Sequence, residues 1–127
     1  MSKQIIDTSK APAAIGPYSQ AVVTGDLLFT SGALPIDPAT GEMPKGSIEE
    51  RAHQVFKNLS AIAEEAGTSL DNAVKVTVYL ADIADFQAVN SVYGQYFAEP
   101  FPARSAFQVA ALPLGSDIEV EAVITLK

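Results

Sequence analysis

The sequence predicts an α+β sandwich: one mixed β-sheet with two helices packed on one of its faces. Three observations predict it. Stretches 47–67 and 85–97 repeat apolar residues at the three-and-four spacing of a helix, while several others alternate apolar and polar residue by residue. Strand-like stretches also lie before, between and after the helical ones, in the order ββ-α-β-α-ββ, which builds a sheet with helices to one side. The 127 residues suit a single domain, 1–127, with one core.

The elements follow in order. "QIID" (4–7) is a short strand, and "APAAIGPYSQ" (11–20) is a loop because two prolines and a glycine interrupt it. "AVVTGDLLFTSG" (21–32) makes two strands around Gly25-Asp26, and "ALPIDPATGEMPKG" (33–46) is rich in turn residues. The first helix begins at Ser47, whose spacing to Glu50 fits a capping box, and stops at Gly67. Its apolar stripe is Ile48, Ala52, Val55, Phe56, Leu59, Ile62, Ala63 and Ala66. In the next strand, Val74, Val76, Val78 and Leu80 share one face, and Lys75, Thr77 and Tyr79 the other. The second helix, 85–97, turns Phe86, Val89, Tyr93, Tyr96 and Phe97 inward. "FPARSAFQVA" (101–110) is a strand, "LPLGSD" (112–117) a hairpin turn, and "IEVEAVITL" (118–126) the last strand.

Composition narrows the function classes. No run of about 18 apolar residues is present to cross a membrane, and the first ten residues lack a signal-peptide core, so the expected location is cytoplasmic. With no cysteine, disulfides and thiolate metal sites are excluded. A formal net charge of −7 argues against a sequence-independent grip on nucleic acid, which needs clustered Lys and Arg. The one histidine, His53, reads as a solvated helix residue, so neither a Ser-His-Asp arrangement nor a His-rich metal set can be assembled. Neither "GTSLDNAV" nor "LPLGSD" has the glycine spacing and lysine of a phosphate loop. Any catalysis must use carboxylate, arginine, hydroxyl, backbone and water.

Arg104 stands on a strand beside Ala106 and Gln108, with Phe107 and Val109 alternating to the other side. It is either a surface arginine paired with a carboxylate or a clamp for a ligand carboxylate, which a guanidinium grips with two parallel hydrogen bonds. Arg104, Ala106 and Gln108 are expected on the sheet face away from the helices, together with Lys75, Thr77, Tyr79, Glu119, Glu121, Val123 and Thr125. That mixed set suits burial against another subunit. If the last two strands pair across the turn, with Ala110 opposite Glu119, Arg104 lies about 20 Å from Glu119 at 3.3 Å per residue. The two charges then share a site only between subunits. Tyr18 in its loop, and Ser31 and Gly32 at a strand end, offer a phenol and free backbone. Asn90 falls on the inward helix stripe, where a buried amide requires a partner.

Five segments, "IGPYSQA", "FTSGALPIDPATGE", "VKVTVYLADIADFQAVNSVY", "FPARSAFQVAALP" and "IEVEA", resemble in order the signature blocks of the Rid (reactive intermediate deaminase) family. The resemblance implies a chorismate-mutase-like, ferredoxin-like fold and a homotrimer with clefts between subunits. It also implies cofactor-free hydrolysis of 2-iminopropanoate and 2-iminobutanoate, the tautomers of 2-aminoacrylate and 2-aminocrotonate, to 2-oxo acids and ammonia. Carried over, Arg104 would hold the substrate carboxylate and Glu119 would manage the attacking water and the leaving amine. Tyr18 and Ser31 would line the cleft, Gly32 would lend backbone, and Asn90 would support the site. Members of the archetypal branch often carry a cysteine two residues after the arginine. Here Ala106 stands there, leaving only backbone to meet a ligand. The alternatives are a trimer that binds 2-oxo acids without turnover, and the ribonuclease or chaperone-like roles attached to the family. The acidic charge and the lack of a histidine pair oppose the ribonuclease role.

Overall fold

The computed structural model describes residues 2–127. Its eight main elements are β1 (Gln4–Ile6), β2 (Ala21–Thr24), β3 (Leu27–Thr30), α1 (Ile48–Glu65), β4 (Ala73–Leu80), α2 (Phe86–Tyr96), β5 (Ala103–Gln108) and β6 (Ile118–Thr125). The strands form one sheet in the order β1-β2-β3-β6-β4-β5, antiparallel except for the parallel β4–β5 pair. Both helices cover the same face. Among the described residues no helix is long and apolar enough to cross a membrane.

Local chemistry sets the helix limits. Ser47 Oγ accepts from Glu50 N at 3.3 Å, satisfying one of the free amides of the first turn of α1. At the other end Gly67 takes φ +84°, Thr68 N donates to Ala63 O and Gly67 N to Glu64 O, both at 3.0 Å. Such a left-handed stop is what a glycine permits. The stripe expected of α1 is buried from Ala52 to Ala63 and half-buried at its ends, Ile48 and Ala66; its partners Leu28, Val76, Val78, Leu80, Ile118, Val120 and Ile124 on the sheet are buried.

Two buried amides fasten the loops around this core. Asn58, on the α1 stripe, donates to the carbonyls of Leu34 at 3.0 Å and Ile36 at 2.9 Å. Gln20 accepts from Thr8 N and donates to Thr8 O and Pro12 O, holding the N-terminal loop. Arg51 joins Asp117 through two guanidinium nitrogens, at 3.0 and 2.7 Å, and caps the carbonyls of Pro44 and Gly46. That ties the 43–46 loop and the start of β6 to α1.

Three expectations need correction. The last two strands do not pair: β5 is an edge strand parallel to β4, and the chain crosses the end of β4 to descend as β6 on its far side. Val109 N to Leu80 O and Ala81 N to Asp117 O mark that crossing. The segment "LPLGSD" is therefore no hairpin turn; it holds a 3-10 turn, Pro113–Gly115, with Leu114 at φ 59°. Secondly, Arg104 and Ala106 stand opposite Val76 and Val78, which puts Arg104, Ala106 and Gln108 on the helix-covered face, not the open one. The open face carries Lys75, Thr77, Tyr79, Glu119, Glu121 and Val123, with Ser105 and Phe107 in the places expected of the arginine row. Thirdly, His53 is not merely solvated: its Nδ1 lies 3.0 Å from Tyr96 Oη and its ring is edge-on to that tyrosine.

Candidate functional site

The expected site residues gather into two groups within one chain. The first lies where β3 runs out into the loop. Ser31 N donates to Gln20 O at 2.9 Å and Ser31 Oγ to Ser19 O at 2.5 Å, so the buried Gln20 segment fixes the serine. Ala33 and Val120 exchange backbone hydrogen bonds at 2.8 and 3.1 Å, which brings Gly32 against β6. Glu119 then passes directly over Gly32: a Cβ built on that glycine would overlap the Glu119 carboxylate. Glycine leaves room here for the Glu119 carboxylate, which an added methyl group would displace, and is not demanded by its dihedral angles. Tyr18 is half-exposed, and its Oη accepts from Ile15 N at 3.3 Å. Tyr18, Ser31 and Gly32 line a cavity that runs back between Ile15, Leu34 and Asn58.

The Glu119 carboxyl is raised above the ordinary carboxylate range, first by burial and then by the charge of Glu121 on the same face. Tyr79, opposite Glu119 on β4, is raised too, first by burial and then by Glu121 beside it. Gly32→Ala is expected to push the Glu119 carboxylate aside and cut turnover about 100-fold, the scale of an ångström-sized misplacement. Chemical unfolding of the variant, within about 1 kcal/mol of the native chain, checks that the fold is kept.

The second group is built on β5 and α2. The Arg104 guanidinium donates to Asn90 Oδ1 at 2.6 Å and lies over two aromatic rings of α2, 5.3 Å from the Phe86 centroid and 4.7 Å from that of Tyr93. Among the described residues no carboxylate oxygen lies within 4.0 Å of it. Arg104, Asn90, Tyr93, Gly94, Phe101 and Pro102 line an open cleft, and Ala106 lies in the adjoining groove beside Phe86 and Gln87. Asn90 is exposed and bonded to the arginine, not buried and bonded to backbone as its place on the helix stripe suggested. Phe86 and Tyr93 entered the sequence reading only as core residues. The signal that could have found them is their placement four before and three after Asn90, on one helix face.

The two groups do not meet in one chain. Arg104 pairs with Val76 and Glu119 with Tyr79, on opposite sides of β4 and on opposite faces of the sheet. Sequence reasoning anticipated the separation from a strand pairing that does not exist; the real cause is the intervening strand and the opposed faces. Among the described residues no cluster of three or more His, Asp or Glu side chains is arranged to hold a metal ion.

Residues 8–126 match the family model described as endoribonuclease L-PSP. A 2-iminobutanoate/2-iminopropanoate deaminase of Capra hircus is 54% identical over 121 residues, covering 95% of this chain and 88% of that protein. The RutC family protein y4sK of Sinorhizobium fredii is 55% identical over 121 residues, 95% and 96% of the two chains. Among solved structures, RidA from an Antarctic Psychrobacter is 48% identical with a TM-score of 0.92, covering 96% and 98% of the two chains. E. coli TdcF, solved with bound serine, is 40% identical with a TM-score of 0.91 and the same coverage.

Proposed function

The chain belongs to the endoribonuclease L-PSP family, the Rid proteins, and we propose that it hydrolyses 2-iminopropanoate and 2-iminobutanoate to 2-oxo acids and ammonia. One observation carries the reading: an open arginine at a cleft with no carboxylate among the described residues within ion-pairing distance. Such a cation suits the carboxylate that every 2-imino acid carries. Relatives more than half identical over 95% of the chain bear the deaminase name, which supports the same class.

The residues suit the chemistry. An imine carbon is already electrophilic, so the protein needs to hold the anion, place a water and move protons. Arg104 grips the carboxylate. Glu119, as carboxylate, takes a proton from water while the water oxygen bonds to C2 of the protonated imine and the C=N π pair moves to nitrogen, leaving a neutral amine. Glu119 then returns its proton to the nitrogen of the tetrahedral adduct. The C–N bond breaks with its electrons on nitrogen, ammonia leaves, and the hydroxyl proton passes to the Glu119 carboxylate as the C=O forms, from which solvent removes it. Partial burial raises the Glu119 pKa, which suits a group that both accepts and gives a proton. Gly32 lies directly under Glu119, and Tyr18 and Ser31 line the cavity that adjoins Gly32; Asn90 and the backbone at Ala106 flank Arg104.

The reading needs a second copy of the chain, because Arg104 and Glu119 lie on opposite faces. The proposed assembly is a homotrimer in which one subunit's Arg104 meets the next subunit's Glu119. Its support is the open sheet face, which leaves Phe29, Phe107, Leu27 and Ile5 between 36% and 49% exposed among charges. A threonine dehydratase coupled to the purified chain, with semicarbazide trapping the imine, tests turnover. Mixing Arg104→Ala with Glu119→Gln subunits tests assembly: both are inactive alone, and random exchange restores about a quarter of the clefts. Mixed subunits that stay inactive would exclude a shared cleft.

Binding of a 2-oxo acid without turnover is the second reading. Its support is the relative solved with bound serine, a molecule that carries a carboxylate but no C=N bond to hydrolyse. Native chain that binds 2-oxobutanoate yet leaves the semicarbazone yield unchanged would establish it. The net charge of −7 opposes an RNA substrate, whatever the family description says.

A further inference from the structure

Arg104 is held without a counter-charge. Among the described residues Arg51 and Lys127 form ion pairs, and of the two arginines Arg104 is the one that does not, although the chain has 15 acidic residues against 8 basic ones. Its partners are all neutral: the Asn90 amide and the rings of Phe86 and Tyr93. These three sit at i, i+4 and i+7 on α2, one face of the helix.

A carboxylate at this place would also orient the guanidinium. It would then occupy the N–H groups and offset the charge that an incoming anion needs. Ring faces attract a cation without supplying a negative group that competes. The platform is also rigid. Tyr93 is 5% exposed, stacked on Phe97 at 4.4 Å and edge-on to Phe56 at 5.8 Å, so it belongs to the core. Among the described residues nothing hydrogen-bonds its hydroxyl, and what Arg104 meets is the ring.

We propose that Phe86, Asn90 and Tyr93 form a charge-neutral cradle that orients Arg104 for a ligand carboxylate, with Phe86 and Tyr93 acting as positioning residues through their ring faces. This rests on the reading of the cleft as a carboxylate site.

The test measures 2-oxobutanoate affinity by calorimetry on the full chain, alongside KM and kcat in the coupled assay. Asn90→Asp keeps the shape and the acceptor but adds the missing counter-charge. It should weaken 2-oxobutanoate binding and raise KM by about tenfold or more, with a smaller change in kcat. Tyr93→Leu should weaken binding roughly 3- to 10-fold by loss of the ring face. Tyr93→Phe, which restores the ring without the hydroxyl, should recover native affinity. Native affinity in Asn90→Asp, or equal losses in Tyr93→Leu and Tyr93→Phe, would overturn the cradle. A native chain that binds 2-oxobutanoate but shows no turnover would sink only the deaminase reading. One that binds no carboxylate at all would overturn both.

Discussion

Arg104→Ala is expected to lower kcat/KM for 2-iminobutanoate about 1,000-fold. Two charge-assisted hydrogen bonds to a carboxylate are each worth about 1.5–3 kcal/mol, and about 4 kcal/mol corresponds to that factor. Stability should fall only modestly, by about 0.5–2 kcal/mol, because the guanidinium forms no ion pair among the described residues but does lose its ring contacts with Phe86 and Tyr93. Arg104→Lys keeps a point charge and loses the planar fork, so it should fall between the two. The coupled dehydratase assay reads all three proteins, and denaturant titration confirms their folding. Native rates in Arg104→Ala would remove the arginine from the reaction.

Glu119→Gln should reduce kcat by about 10²–10⁴-fold, the range of a placed acid–base group, with little loss of 2-oxobutanoate affinity. Its pH dependence has a defined sign. The Glu119 carboxyl is raised by burial and then by Glu121, so the acid limb of the rate profile should lie above the ordinary carboxylate range. Glu121→Gln removes the neighbouring charge and should move that limb to lower pH. Stability follows the same shift. A carboxyl whose pKa is higher folded than unfolded stabilises the fold fully below its unfolded pKa. It loses that contribution as pH rises through the folded value. The native chain should therefore lose stability across this window relative to Glu119→Gln, as urea titrations from pH 4 to 7 would reveal. Parallel stability curves for the two proteins would contradict the raised pKa.

Period and punctuation carried most of the elements. The Ser47 cap and Gly67 stop bounded α1, and alternation placed the buried row of β6 and that of β4 except at Val74, which is 44% exposed because a bulge between Ala73 and Lys75 breaks the alternation and buries Ala73 instead. What failed was everything that depends on partners far along the chain. "LPLGSD" is short enough to suggest a hairpin, and nothing local reveals that β4 lies between the strands it joins. The face of β5 was misjudged because Phe107 and Val109 looked like the core-facing pair. On an edge strand Arg104 can instead lay its stem and guanidinium over the rings of α2 and keep its tip at the surface. Ser31, Gly32 and Tyr18 were legible from loop and strand-end chemistry, whereas the closeness of Gly32 to Glu119 needed the bridge between Ala33 and Val120. Asn58 was hidden within an apolar stripe, although an amide there was itself the clue to the carbonyls it holds.

The opposition of Arg104 and Glu119 across β4 has a quantitative corollary for how the protein behaves in dilute solution. In the proposed trimer a lone subunit would own half of two different reaction centres and a whole one of neither. Specific activity should therefore decline as the protein is thinned below the concentration that keeps copies together, and a newly made chain would stay silent until it finds company.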